Sequence, residues 1–416
     1  MLLRFSVANH RSFFESQELS LTASSLKDNE EGLISSSFSP SGYVLPSVVL
    51  YGSNAAGKSN LVSALRFIRW MVLDSHPKGR ADWGVPRTSF KLAKSVEELP
   101  SSYDIDFVVD GVRYHYGFSA NSEVYLSEWL YAFTDKRRQL LFERDSSQSI
   151  KFGRALRGRN RVIADLMRPN SLFLSAAIQN NHPELVKLGK FFSSIGFNAS
   201  LAVDAESIAN RFSKVDLDPR VIDFLAAMGT GVIGFNVSSK EISEEEKTVQ
   251  SEIENFLRKL SENVAGSLEA VTRPNIDIEL LHEGVDGFSA YLDSWEESAG
   301  TRRLLVLLSA IYKALDEGSL VVIDEIEASL HTLICNSIIG MFSDKKMNPK
   351  GAQLIATTHN AKLLDNSLMR RDQFWFVRKD RVGRSKVFSL AEVKTRKGDD
   401  FEKSYLEGRY GAVPFE

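Results

Sequence analysis

Apolar positions along the chain change period several times, and the changes mark out its elements. Near the start Leu3, Phe5 and Val7 alternate with polar residues, and Leu19 and Leu21 do so again after a turn at Asn9 to Ser12. A period of two predicts strands, so an antiparallel hairpin opens the chain. Asp28 to Gly42, rich in serine, glycine and acidic residues, reads as a loop. Val48 to Tyr51 is a short apolar run of the kind that forms a buried strand. Leu61, Leu65, Ile68 and Met71 then recur at helical spacing. From Tyr103 the period returns to two: Ile105, Phe107 and Val109, a tight Asp110-Gly111 turn, then Tyr114, Tyr116 and Phe118. Val124 to Phe133 and Gln139 to Phe142 add strands. Pro183 to Val271 reads as mainly helical. Within it a Ser243/Glu246 capping box precedes a seam of Val249, Ile253, Phe256, Leu260 and Val264. Ile276 to Leu280 and Phe288 to Leu292 predict another hairpin. A helix faced by Leu304, Leu305, Leu308, Ile311 and Leu315 follows, then strands at Leu320 to Ile323 and Leu354 to Thr358. Phe374 to Val377 and Val387 to Leu390 form a last hairpin.

The junction between the buried strand and the first helix carries chemistry. Gly52-Ser53-Asn54-Ala55-Ala56-Gly57-Lys58-Ser59, followed by Asn60, fits G-x-x-x-x-G-K-[ST] in its required strand–loop–helix setting. Phosphate oxygens need many donors at short range, and backbone N–H groups supply them only where the chain wraps closely. Gly52 and Gly57 permit that wrapping. The helix start adds N–H groups and a partial positive charge. Lys58 can reach the β- and γ-phosphates of ATP, and the Ser59 hydroxyl can ligate Mg²⁺. Asn54 and Asn60 complete the nucleotide-binding set.

A second acidic element lies far downstream. Leu320 to Ile323 runs into Asp324 and Glu325, the hhhhDE form of a Walker B strand. Asp324 would hold Mg²⁺, and Glu325 would orient and deprotonate an attacking water. Upstream, Ser298 can cap the helix after Glu297, and Gly300 lets a phosphate approach the backbone.

Composition narrows the setting. At 416 residues the chain holds two or three domain-sized pieces, or one domain with large insertions. The boundaries read as 1–78 and 273–416 for the two parts of an ATPase head, 79–150 for a β-lobe and 151–272 for a mainly helical insertion. A net charge of −3 excludes a polycation. The segment from Lys151 to Arg168 carries Lys151, Arg154, Arg157, Arg159, Arg161 and Arg168, a stretch that either contacts a nucleic-acid backbone or is simply solvated. The single cysteine, Cys335, rules out an intramolecular disulfide and fits a reducing cytoplasm. No apolar run reaches membrane-spanning length and the start lacks a signal-peptide pattern, so a cytoplasmic protein with no membrane partner is expected.

Together FSVANHRSFFESQELSLTA, YGSNAAGKSN, ESAGTRRLL, VVIDEIEASLH, ATTHN, DQFWFV and YLEGRYGAVPF resemble the ATPase heads of the RecF/SMC-like branch of ABC ATPases. The likeness is nearest to small bacterial AAA-family ATPases of anti-phage abortive-infection systems: the AbiL ATPase component, its RloA relatives and, more distantly, AriA and PtuA. It implies an α/β fold, an ABC-type P-loop ATPase head with an antiparallel β-lobe and a short helical insertion. By the same resemblance the Ser298 to Thr301 turn is the signature that binds the γ-phosphate held by a second protomer. His359 is the switch histidine, Glu327 to His331 the D-loop, and Arg11 a phosphate contact. The implied function is an ATP-hydrolysing dimerisation switch that controls a separate effector, a nuclease or toxin, as a homodimer or higher homo-oligomer. Three departures matter. The helical arm is short, no fused Toprim nuclease is expected after the switch histidine, and the signature reads SAGTR rather than SGGQ. The last keeps open a nucleotide-binding scaffold that restrains a toxin with little hydrolysis. The arginine run keeps open a RecF-like role in DNA repair.

Overall fold

In the computed structural model the described residues are 1–94, 96, 98–134, 137–198, 217–239, 276–365, 367–395 and 398–411. The Ser243 capping box and the Val249 to Val264 seam lie outside them. The chain divides into two compact units, Met1–Ala199 with Lys313–Glu416, and Ser200–Tyr312.

The first unit is built on two sheets. Its strands begin with β1 (Leu2–Ala8), β2 (Gln17–Ser20), the short pair β3 (Ile34–Ser35) and β4 (Tyr43–Val44), and β5 (Ser47–Tyr51). Helix α1 (Lys58–Asp74) follows. Then come β6 (Ser101–Val109), β7 (Val112–Ala120), β8 (Tyr125–Thr134), β9 (Arg137–Arg144) and β10 (Ile150–Phe152). These strands add to the opening hairpin rather than standing apart from it: the sheet runs β10-β9-β8-β7-β6-β1-β2, antiparallel throughout. The Asp110-Gly111 turn has positive φ at both residues, 49° and 71°. That is the primed hairpin geometry an Asp-Gly pair favours.

Three short helices, α2 (Asn160–Asp165), α3 (Phe173–Gln179) and α4 (Val186–Ser194), lead into β11 (Gly196–Asn198). The buried carboxylate of Glu128 on β8 accepts from the Phe173 and Leu174 N–H groups at 2.6 and 2.9 Å, so β8 caps α3. Burial raises the pKa of that carboxyl, and the Arg144 guanidinium opposes the rise.

The second unit holds α5 (Pro219–Ala227) and the antiparallel sheet β12 (Val232–Ser239), β13 (Ile276–Glu283) and β14 (Ser289–Asp293). Asp218 caps α5, accepting from Arg220 N–H at 3.0 Å. Helix α6 (Ala299–Glu317) follows β14. Back in the first unit come β15 (Leu320–Ile323), α7 (Thr332–Ser343), β16 (Gln353–Thr358), β17 (Phe374–Lys379), β18 (Ser385–Ser389) and α8 (Phe401–Leu406).

The second sheet of the first unit runs β11-β15-β16-β5-β17-β18 and is parallel except for the β17–β18 hairpin. Its central strands are apolar throughout because both faces are covered: β5, β15 and β16 are buried at every position. Leu61, Val62, Ala64, Leu65, Phe67, Ile68, Met71 and Val72 of α1 join one continuous core with residues of both sheets. Gln353 fastens β16 to β1, accepting from Leu2 N–H at 2.6 Å and donating to Leu2 O at 3.0 Å. No described helix is long and apolar enough to cross a membrane.

Candidate functional site

Strands β5, β15 and β16 run the same way and end level with one another, Thr358 beside Tyr51 and Ala356 beside Ile323. The segments that leave their carboxyl ends are therefore neighbours. They carry Gly52 to Ser59, Asp324 to His331, and His359. The crevice beyond the strand ends is where open parallel sheets bind ligands.

The loop after β5 is shaped as its sequence requires. Gly52 and Gly57 have φ of 155° and 121°, and Ala55 adopts the left-handed region at 63°. A Cβ on Gly52 would run into the Val377 carbonyl, and one on Gly57 into the hydroxyls of Ser385 and Ser12. Gly57 precedes α1 without offering a side-chain cap, which leaves the helix's first N–H groups to an anion. Lys58 is buried, and its Nζ donates to Gly52 O at 2.6 Å and Ser53 O at 3.1 Å. An ammonium has three donors, so one remains for a phosphate. Burial pushes the Lys58 ammonium below the ordinary lysine range, and Glu327, Asp324 and Glu325, in that order, act against the shift. Asn54 and Ser59 are exposed at the mouth.

The Asn9–Ser12 turn is bound into the same place. Asn60 Nδ2 donates to Ser12 Oγ at 2.7 Å, the Ser12 and Ser385 hydroxyls bond each other at 2.8 Å, and Ser385 Oγ donates to the Ala56 carbonyl. The turn is held from behind by Asn9, whose Nδ2 donates to Leu99 O at 2.8 Å and whose Oδ1 accepts from Phe90 N–H at 2.9 Å. His10 lies buried between Tyr103 Oη at 2.9 Å and Ser63 Oγ at 3.0 Å. Burial and the neighbouring Arg11 lower its pKa to about 4. Arg11 itself is exposed on this fixed turn, with φ 50° and its N–H on Thr88 O at 2.9 Å. Asn60 therefore acts on the Arg11-bearing turn through Ser12.

On the acidic side the organising group is Thr357, which the sequence reading did not single out. Its buried hydroxyl donates to Asp324 Oδ1 at 2.5 Å and accepts from Glu325 N–H at 2.8 Å. Its carbonyl takes Ile326 N–H at 3.0 Å. Glu325 has a left-handed backbone, φ 51°, conformational strain of the kind that collects at functional sites. His359 does not stand alone: Glu327 Oε1 accepts from its backbone N–H at 2.6 Å and from its Nδ1 at 2.8 Å. Residues 327–331 form turns, not helix, before α7 begins at Thr332 with His331 as its cap.

Asp324 and the exposed Ser59 hydroxyl are hard oxygen donors of the type Mg²⁺ takes beside phosphates. The carboxylates around a buried lysine supply the charge such an ion answers. These residues fit a nucleotide with its magnesium.

Ser298 and Gly300 belong to the second unit. Ser298 Oγ accepts from Thr301 N–H at 3.1 Å, so it is a working helix cap on α6. Ser298 and Ala299 are exposed and Gly300 is half-buried. In the basic stretch Lys151, Arg154, Arg157, Arg159 and Arg161 are exposed. Arg168 is not part of that surface: its Nη2 donates to the carbonyls of Ser75 and His76 at 3.3 and 2.8 Å.

A family model described as "AAA domain, putative AbiEii toxin, Type IV TA system" matches residues 47–365. No curated protein matches the chain. Solved structures that resemble it include the SMC head domain from Thermotoga maritima, at 14% identity over 95% of this chain and 99% of that one, TM-score 0.39. An SmcHead bound to the C-winged helix domain of ScpA gives 14% over 93% and 97%, TM-score 0.39. An Smc head with an extended coiled coil bound to the C-terminal domain of ScpA, derived from Pyrococcus furiosus, gives 15% over 98% and 98%, TM-score 0.35.

Proposed function

Because the chain belongs to this AAA-domain family and folds as an α/β, ABC-type P-loop ATPase head with an antiparallel β-lobe, we propose that it is an ATP-hydrolysing dimerisation switch. The observation that carries the reading is the convergence of Lys58 with Asp324 and Glu325 at the carboxyl ends of adjacent parallel strands.

Lys58 and the first N–H groups of α1 bind the phosphates, and Arg11 adds charge from the fixed turn. Ser59 and Asp324 would hold a magnesium ion, which would neutralise charge on the phosphate oxygens. Glu325 orients a water and takes its proton. Thr357 keeps both carboxylate-bearing residues in register, and His359 reaches the γ-phosphate end. Two copies pair head to tail, each closing the other's nucleotide with its Ser298 to Thr301 turn, and the exposure of Ser298 and Ala299 supports this reading. Hydrolysis reopens the pair and controls a separate effector, a nuclease or toxin, in anti-phage defence of the AbiL and RloA kind, in the cytoplasm. A scaffold with little turnover is the second reading, favoured by Ser298 serving as an ordinary helix cap.

The test is ATP turnover by purified protein with Mg²⁺. Hydrolysis lost in Lys58→Ala, and slowed at least about 100-fold in Glu325→Gln with ATP still bound, fits loss of the general base. No turnover in the wild-type protein favours the scaffold, and turnover unaffected by Glu325→Gln removes the mechanism.

A further inference from the structure

Glu327 lies two residues beyond Glu325, in the turn that joins β15 to α7. Its side chain is 7% exposed, whereas that of His359 is 53% exposed. One oxygen, Oε1, holds both the backbone N–H and Nδ1 of His359. The other, Oε2, is buried with no hydrogen-bond partner among the described residues. A buried carboxylate oxygen left in that state costs free energy, and such groups call for an explanation. Glu327 is also the carboxylate that acts most strongly on Lys58. Its charge reaches the buried Tyr51 hydroxyl, which has no hydrogen-bond partner among the described residues either.

We propose that Glu327 is a positioning residue that fixes the tautomer and orientation of His359 and ties the switch strand to the 324–331 turn. A carboxylate only accepts, so the contact requires the proton on Nδ1. That leaves Nε2 as the ring nitrogen for the phosphate end of the site. Because the same oxygen grips the backbone and the ring, the side chain cannot rotate without breaking one bond. The turn at the other end is itself constrained. Glu325 and Ser329 are left-handed at φ 51° and 58°, and Ala328 N–H and Leu330 N–H bond Glu325 O and Glu327 O at 3.0 and 2.9 Å. Displacement of His359 toward a phosphate therefore pulls on the turn that precedes α7. In the dimer reading, on which this inference rests, that turn faces the second copy.

The experiment compares Glu327→Leu, Glu327→Gln, His359→Ala and the Leu/Ala double variant. Leucine removes the acceptor and leaves the His359 N–H groups unpaired, a loss that costs stability, so urea unfolding first shows that the variant is folded. Glutamine keeps an acceptor oxygen. Turnover in Glu327→Leu is expected to fall by about 10- to 100-fold, the usual effect of losing a partner that orients a functional histidine. KM for ATP stays within about twofold, since the loss acts on orientation rather than on ground-state binding. Glu327→Gln recovers most of the rate, and Glu327→Leu adds nothing in the His359→Ala background. Losses that multiply in the double variant, or a change in KM alone, overturn the proposal. Exchange of the His359 amide in nucleotide-free protein gives a readout independent of hydrolysis. About tenfold faster exchange in Glu327→Leu supports the clamp even if the ATPase reading fails, and unchanged exchange overturns it.

Discussion

Replacing Thr357 by valine removes one hydroxyl and little volume, and the structure gives that hydroxyl two partners. It donates to the Asp324 carboxylate at 2.5 Å and accepts from the Glu325 N–H at 2.8 Å, from a position with no exposed surface. The neutral bond contributes about 0.5–1.5 kcal/mol and the charged one about 1.5–3, so Thr357→Val is expected to cost about 2–4.5 kcal/mol in urea unfolding. The effect on turnover is separable from stability. The bonds hold the Asp324 carboxylate and the Glu325 backbone, the residues proposed to bind metal and activate water, and loosening such support lowers rates by about 10- to 100-fold. Thr357→Ser deletes a buried methyl, costing about 1 kcal/mol, but keeps both bonds. The serine variant should thus be less stable than wild type yet turn ATP over at nearly the same rate, while the valine variant fails at turnover. Equal turnover in the two variants would refute the assignment of Thr357 as the group that registers Asp324 and Glu325.

Other outcomes follow from the site's surroundings. His10 titrates at about 4 in the folded chain against an ordinary 6.5, so only the unfolded chain takes up its proton as pH falls between those values. The stability owed to neutral His10 is intact above pH 6.5 and declines through that window by up to about 3 kcal/mol; His10→Gln should flatten this part of the pH dependence of unfolding. Gly57→Ala forces φ 121° on a residue with a Cβ and drives that Cβ into Ser12 and Ser385. It should cost about 2–5 kcal/mol and weaken ATP binding in calorimetry, and wild-type affinity in a fully stable variant would contradict the loop geometry. Arg154, Arg157, Arg159 and Arg161 are exposed. Duplex DNA binding through them should lose roughly 3–4 units of salt slope when all four become alanine, and an unchanged slope would remove the RecF-like role.

What could be read from the sequence was what depends on neighbours in the chain. The Gly52–Ser59 loop, the Asp110-Gly111 turn and the acidic end of β15 each state their geometry within ten residues, and each is found where the pattern puts it. The hairpins β13–β14 and β17–β18 announced themselves by alternation. The contacts that finish the site join residues far apart in the chain, and no local period records them. Ser385 meets Ser12 and the Ala56 carbonyl only because β18 folds back beside the loop. Thr357 reaches Asp324 because β16 lies between β5 and β15, a strand order that hydrophobicity does not encode. Glu327 was legible as part of a turn, but its grip on His359 was not. The basic run misled in one respect: it read as a single surface, yet Arg168 turns its Nη2 to the backbone of Ser75 and His76 and its Nε to Asn170.

The central claim is that a nucleotide held by Lys58 of one copy is closed by the Ser298 to Thr301 turn of another. Mixing two inactive variants, Lys58→Ala and Gly300→Arg, tests it most directly, because each lacks what the other retains. A mixed pair rebuilds one complete site, so equal mixing should restore roughly a quarter of wild-type turnover, from the two equivalent sites of a closed pair. No recovery from two folded variants, each shown to associate with the wild-type chain, would contradict the account.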